Sequence, residues 1–387
     1  MRILIINCDY QRFLSQQYSE QPELAHLSYA EQLAARNASL FGVADFYSCG
    51  FRAHGHEANE VHVNNAWMQA AWAREHGLSA ASPPATRSSS SRRVSIGGLA
   101  TRILPRPLHR YLRRRLRGQQ ANILAAQIEH YRPDVILNQE MGYVRSAFLR
   151  RVKSPRTMIA GQIATALPIG ETFNVYDIVV SSLPNQVEWF RQRGVRAELH
   201  RLAFEPSVLS RVGPLPAERD VPVSFVGSLS IEHDSRIALL EFIARRIELR
   251  IWGPDIGHLP KSSPLHRCYQ GEAWGCKMYQ VLLRSCMTIN HHGDLAEGNA
   301  NNMRLYEATG CGALMLTEAA RNLHEIFDAG REAITYTSVK ECAAQIEHLL
   351  EHDDERARIA AAGQRRTLSE HTYLRRTADL VAAFEQR

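Results

Sequence analysis

Arg304 and Glu307 stand three residues apart in the stretch Asn290 to Thr317, NHHGDLAEGNANNMRLYEATGCGALMLT. A helix there would put them on one face. A guanidinium can hold a diphosphate through paired hydrogen bonds, and a carboxylate can accept both hydroxyls of a ribose. Asn299, Asn301 and Asn302 fall at the start of that helix, where free backbone N–H groups favour an anion. Together these are the parts of a nucleotide-diphosphate site. His292 in the preceding polar cluster, with Thr309 and Gly310 at the far end of the helix, completes this part of the candidate donor set. The same Arg–Glu pair also fits an exposed intrahelical salt bridge, worth only a few tenths of a kcal/mol.

The elements that must position these residues follow from the pattern. The helix is predicted over 301–309, ended by Gly310 and Gly312, and the apolar run Ala313 to Leu316 leaves as a strand. Upstream, Val221 to Val226 reads as a strand, with Gly227 and Ser228 at its end and a helix opening near Glu232. Glycine between a strand and a helix permits close phosphate approach, although Glu232 and Asp234 suit the helix dipole by themselves and would repel a phosphate. Lys277 is a second cation to set beside Arg304 on a departing diphosphate. In the N-terminal half, strands are predicted at 2–7, 61–64, 135–138, 157–161, 177–181 and 196–200. Helical stretches over 28–52, 66–76 and 183–194 alternate with them, and 11–27 reads as a loop. This alternation predicts a Rossmann-like domain. Asp9 follows its first strand and Glu140 its third. Both would lie at the carboxyl edge of the sheet, where ligands sit, and each is a candidate general base. Asp9 equally suits a turn.

Several motifs, in order, resemble the C-terminal half of GT-B glycosyltransferases, specifically the CgeB-like, "group 1-like" set. They are Asn301-Asn-Met-Arg-Leu-Tyr-Glu-Ala-Thr-Gly-Cys-Gly312, Asn322-Leu323 with Phe327, Tyr336-Thr337-Ser338, and Ala362-Gly363-Gln364-Arg365 through His371-Thr372-Tyr373. The resemblance spans roughly 221–380. It implies a GT-B fold of two Rossmann-like domains facing a cleft: an acceptor domain over 1–205, a linker over 206–220, a nucleotide-sugar domain over 221–370, and a final helix over 371–387 crossing back. It also implies that Glu307 binds the donor ribose. Many relatives carry a second glutamate eight positions earlier, where this chain has Asn299. GT-B enzymes typically stabilise the leaving diphosphate without a bound divalent ion, and no D-x-D occurs here. The function implied is metal-independent sugar transfer, without a cofactor, from a nucleotide-sugar donor to a glycan or lipid-linked acceptor. An inactive GT-B nucleotide-sugar or glycan binder and a nucleotide-sugar 2-epimerase are the rival readings.

Bulk properties agree with such a protein. A chain of 387 residues is long for one core, so two domains are expected. No apolar run approaches the roughly 20 residues of a membrane span, and seven unclustered cysteines suit a reducing cytoplasm rather than a zinc site. The net charge of +6 is local: ten arginines from Arg87 to Arg117 lie in an acid-free stretch and outweigh it. This basic insertion, 79–118, begins in a low-complexity run and continues as a helix interrupted near Pro105 and Pro107. It suits an anionic membrane surface, an anionic acceptor or a solvated helix face. It lacks the interleaved aromatics of a nucleic-acid platform. The expected location is cytoplasmic, with peripheral attachment to the inner membrane face.

Overall fold

The computed structural model describes residues 1–79, 106–214, 218–229, 234–254 and 256–386, with the backbone alone for 106–117 and Asp294. The chain forms two compact units. The first takes Met1–Ile163, Leu167–Val180 and Gly194–Arg196; the second takes Ala164–Ala166, Ser181–Arg193 and Ala197–Arg387.

The first sheet has six strands: β1 Arg2–Asn7, β2 Glu57–His62, β3 Val135–Asn138, β4 Met158–Gln162, β5 Ile178–Ser181 and β6 Ala197–Leu199. Their order is β2-β1-β3-β4-β5-β6. β1 pairs in parallel with β2 and β3, and β4 with β3 and β5. Ile3, Leu4, Ile5 and Ile6 are all buried, as expected of a parallel strand covered on both faces. The second sheet runs β11-β10-β9-β7-β8, from β7 Val221–Val226, β8 Leu249–Trp252, β9 Ser285–Asn290, β10 Leu314–Glu318 and β11 Ile334–Tyr336. It too is parallel. Val223, Phe225, Leu240, Ile251, Met287 and Leu316 belong to its buried core.

In each sheet the strand order reverses once, between β1 and β3 and between β7 and β9. Loops leaving neighbouring strands there diverge and open a crevice at the carboxyl edge.

Some expected boundaries shift. Residues 11–27 are not a loop: Gln11–Glu20 is a helix, and a single 3₁₀ segment, Pro22–His26, follows. That helix buries only Phe13, Leu14 and Tyr18 within a polar run, so its periodicity is faint. The long helix expected over 28–52 is two helices, Tyr29–Ala38 and Phe46–Ala53. Leu40, Gly42 and Ala44 between them have positive φ, which a helix does not accommodate. β2 begins at Glu57, four residues early, because Glu60 and His62 are polar yet buried. In the basic insertion the described helix is continuous over Arg106–Tyr131. The low-complexity run beyond residue 79, with Arg87, Arg92, Arg93 and Arg102, lies outside the described residues, as does the expected helix start at Glu232. Residues 206–220, expected as linker, group with the second unit, as do 197–205. Phe204 there is buried and bridges to Thr372.

Candidate functional site

The Arg304–Glu307 pair is not a surface salt bridge. The helix Met303–Gly310 begins at Asn302, whose side chain accepts the Arg304 backbone N–H at 2.8 Å, a standard N-cap contact. Arg304 Nη1 lies 2.7 Å from Glu307 Oε2, and the two side chains are only 13% and 5% exposed. Arg304 Nε donates to the Val226 carbonyl at the end of β7, at 3.1 Å, and Nη1 stands 3.0 Å from Met278 Sδ. The guanidinium therefore crosses from the helix to the strand beside the reversal in the second sheet. The other Glu307 oxygen faces the Tyr279 hydroxyl at 3.5 Å. Burial, reinforced by Glu307, keeps that phenol protonated far above its usual range. Removing one member of a buried pair strands the other charge at a cost of roughly 3–5 kcal/mol, so this pair stabilises the site only while both members are present.

The remaining donor candidates divide by what they touch. Lys277 opens the helix Cys276–Arg284, next to Met278 against Arg304. Asn302 is the cap, Asn301 is half-buried beside it, and Asn299 closes a turn onto the Ala296 carbonyl at 3.0 Å. Asn322 holds the approach to the helix, accepting the Ala300 N–H at 2.6 Å. Thr309 and Gly310 lie elsewhere. The Thr309 hydroxyl meets Thr367 at 2.6 Å, and a Cβ on Gly310 would come within 2.4 Å of the Phe204 ring. Both positions pack the helix instead of facing Arg304. Gly227 also has a packing reason: its N–H donates to Trp252, and a Cβ on the neighbouring Gly253 would sit 2.1 Å from the Gly227 carbonyl. The ends of β7 and β8 thus approach too closely for a side chain at Gly253.

Arg236 was not singled out by sequence reasoning. It donates to the Ser228 carbonyl at 2.9 Å and the His291 carbonyl at 3.0 Å, joining the loops after β7 and β9. Its signal was the one arginine in a mostly apolar helix, DSRIALLEFIA. His292 is buried beside it. Its Nε2 lies 3.1 Å from the Thr317 hydroxyl. Burial, then His291 and Arg236, lower its pKa to about 4 against a backbone hydrogen bond with Glu318, so the ring is neutral at pH 7.

In the first unit the two carboxylate candidates have opposite environments. Asp9 is fully buried, with Arg36 donating to Oδ1 at 2.7 and 3.1 Å and His62 Nδ1 at 3.1 Å from Oδ2. Burial alone would raise its pKa, but His62 and Arg36 outweigh burial and hold it well below the usual carboxylate range. Its backbone is fixed by Asn64 through two bonds, at 2.8 and 2.7 Å. Glu140, after β3, is half-buried. Burial, then the Asp9 charge, push its pKa up to about 7, against a backbone hydrogen bond from Cys8. Gln139 donates to Gln162 at 2.8 Å, and Gln162 to the Tyr47 hydroxyl at 3.0 Å, along the same edge. Asp9 is thus an ionised carboxylate bound by Arg36, whereas burial leaves Glu140 with a carboxyl that titrates near neutrality.

Comparison with known proteins bears on both units. A family model described as glycosyl transferase-like matches residues 236–382. No curated protein matches the sequence. Among solved structures, Anabaena HepE in complex with UDP-glucose is similar at TM-score 0.58 and 12% identity, over 100% of both chains. Sucrose-phosphate synthase from Thermosynechococcus elongatus is similar at 0.55 and 10%, over 100% of this chain and 98% of that one. AviGT4, a glycosyltransferase of avilamycin A biosynthesis, is similar at 0.54 and 12%, over 100% and 97%. The fold is GT-B, and residues 236–382 resemble a glycosyl transferase-like family. The expectation of a glycosyltransferase agrees with both findings.

Proposed function

We propose that this chain transfers a sugar from a nucleotide-diphosphate donor held by the second unit to an acceptor held by the first. The buried Arg304–Glu307 pair at the β7–β9 reversal carries the reading. Without donor the two residues neutralise each other. In the proposed bound state Arg304 turns to the diphosphate, Glu307 accepts the ribose hydroxyls, and Tyr279 keeps its hold on Glu307. Arg304 and Lys277 then offset the charge that builds on the leaving diphosphate, a role that needs no divalent ion. The neutral His292 and the loop tied by Arg236 contribute to the donor sugar side. HepE, of the same fold, was solved with UDP-glucose, which makes UDP the first nucleotide to try. The motif pattern supports assignment to the CgeB-like set.

On the acceptor side, Glu140 is the base that takes the hydroxyl proton if configuration inverts, and Asp9 sets its field. A glycan or lipid-linked acceptor fits the first unit. The arginines from Arg87 to Arg117 support peripheral attachment to an anionic membrane from the cytoplasm. Donor hydrolysis or transfer, measured with UDP-sugars in the presence of a chelator, tests the reaction. Unchanged turnover is expected, and loss that magnesium or manganese restores would overturn the metal-independent form. Altered free donor without acceptor would instead indicate epimerisation.

A further inference from the structure

We infer that a pocket of about 260 Å³ in the first unit binds the apolar chain of a lipid acceptor. This rests on the acceptor role proposed for Glu140. Val63, Ala121, Leu124, Val144 and Phe148 make most of its wall. Two of the polar side chains around it, Tyr143 and Arg145, are engaged with protein groups. The Tyr143 hydroxyl donates to Gln120 at 2.6 Å, and Arg145 pairs with Glu171 and donates to the Ile169 carbonyl at 2.9 Å. A sugar or nucleotide would need donors and acceptors to spare, whereas an alkyl or isoprenoid chain needs none and gains by leaving water.

Position points the same way. Val63 directly follows β2, and the lining run Gly142 to Arg145 begins two residues after Glu140. One loop therefore carries the candidate base at one end and the pocket wall at the other. Tyr143 and Ile169 are 41% and 96% exposed, and both connect to the lining through the bonds just described. A large, partly exposed ring, Tyr143, in the wall of a mostly apolar pocket suits a molecule that enters from a bilayer. An acceptor with its hydroxyl at Glu140 and its chain in this pocket would satisfy both ends of the loop.

The test titrates the full-length protein with alkyl β-glucosides, butyl to octyl, below their micelle concentrations, and with UDP in parallel. Saturable one-to-one binding should strengthen about tenfold or more from butyl to octyl. Ala121→Trp, which fills the pocket, should remove that gain and leave UDP affinity unchanged. Should that variant not fold, the chain-length series on the wild type decides alone. Affinity independent of chain length, or octyl binding indifferent to Ala121→Trp, would overturn the inference. If UDP binds and the glucosides do not, only this inference fails; if UDP does not bind, the donor site itself is misassigned.

Discussion

At the residue scale, two carboxylates of the first unit that sequence spacing treats alike acquire different chemistry from their neighbours. Asp9 meets a guanidinium at 2.7 Å, whereas Glu140 meets a backbone N–H and the repulsion of Asp9. A base must be deprotonated to act, so transfer by an inverting enzyme should rise with pH through about 7, the value to which Glu140 is raised. Glu140→Gln should lower turnover at least a hundredfold, within the usual range for a general base, and leave UDP affinity unchanged. A pH-independent rate in the wild type would remove Glu140 from that role. Glu60 is a separate case. Burial raises its pKa to about 7, so the folded state holds its proton more tightly than the unfolded chain. Its stabilising contribution is fully present below the ordinary carboxylate pKa of 4.5 and is lost as pH rises through about 7. Thermal unfolding between pH 5 and 8 should show this fall, and Glu60→Gln should flatten it.

At the element scale, close packing of the helix Met303–Gly310 holds the donor candidates. Gly310→Ala would drive a methyl into the Phe204 ring, 2.4 Å from its Cβ. It should cost about 1–3 kcal/mol of stability, measurable by denaturant unfolding. An unchanged midpoint would show that Phe204 can move aside. The first strand of this second unit was legible because it is a largely apolar run bounded by Gly and polar turns: VPVSFV falls where expected. The helix was legible within two residues at its start and one at its end. Arg304 and Glu307 were readable as a pair, since spacing fixes a common face, but burial depends on Val226, Met278 and Tyr279, far away in sequence. Thr309 and Gly310 looked equally polar or permissive, yet the helix turns them onto Thr367 and Phe204. β2 and the pairing of Asp9 with Arg36 were hidden for the same reason. Buried polar residues imitate surface ones until their distant partners are known.

At the scale of the whole molecule, the fold places each candidate site at the reversal of a parallel sheet, where open α/β sheets bind ligands. Charge is distributed otherwise, concentrated in the acid-free stretch from Arg87 to Arg117. Replacing Arg87, Arg92, Arg93 and Arg102 with serine should weaken binding to anionic vesicles at least tenfold at low salt and leave neutral vesicles unaffected. Equal vesicle binding would assign the arginines another partner. The central claim is narrower: the buried Arg304–Glu307 pair is a donor site. Calorimetric titration of UDP into the wild type and Glu307→Gln, a change that keeps the side-chain shape, tests it most directly. Losing a charged hydrogen-bond partner should cost about 1.5–3 kcal/mol, or roughly 10- to 100-fold in affinity. Saturable binding weakened to that extent, with the melting curve still cooperative, is the predicted result. UDP binding that ignores Glu307→Gln, or no binding of any nucleoside diphosphate, would contradict the assignment.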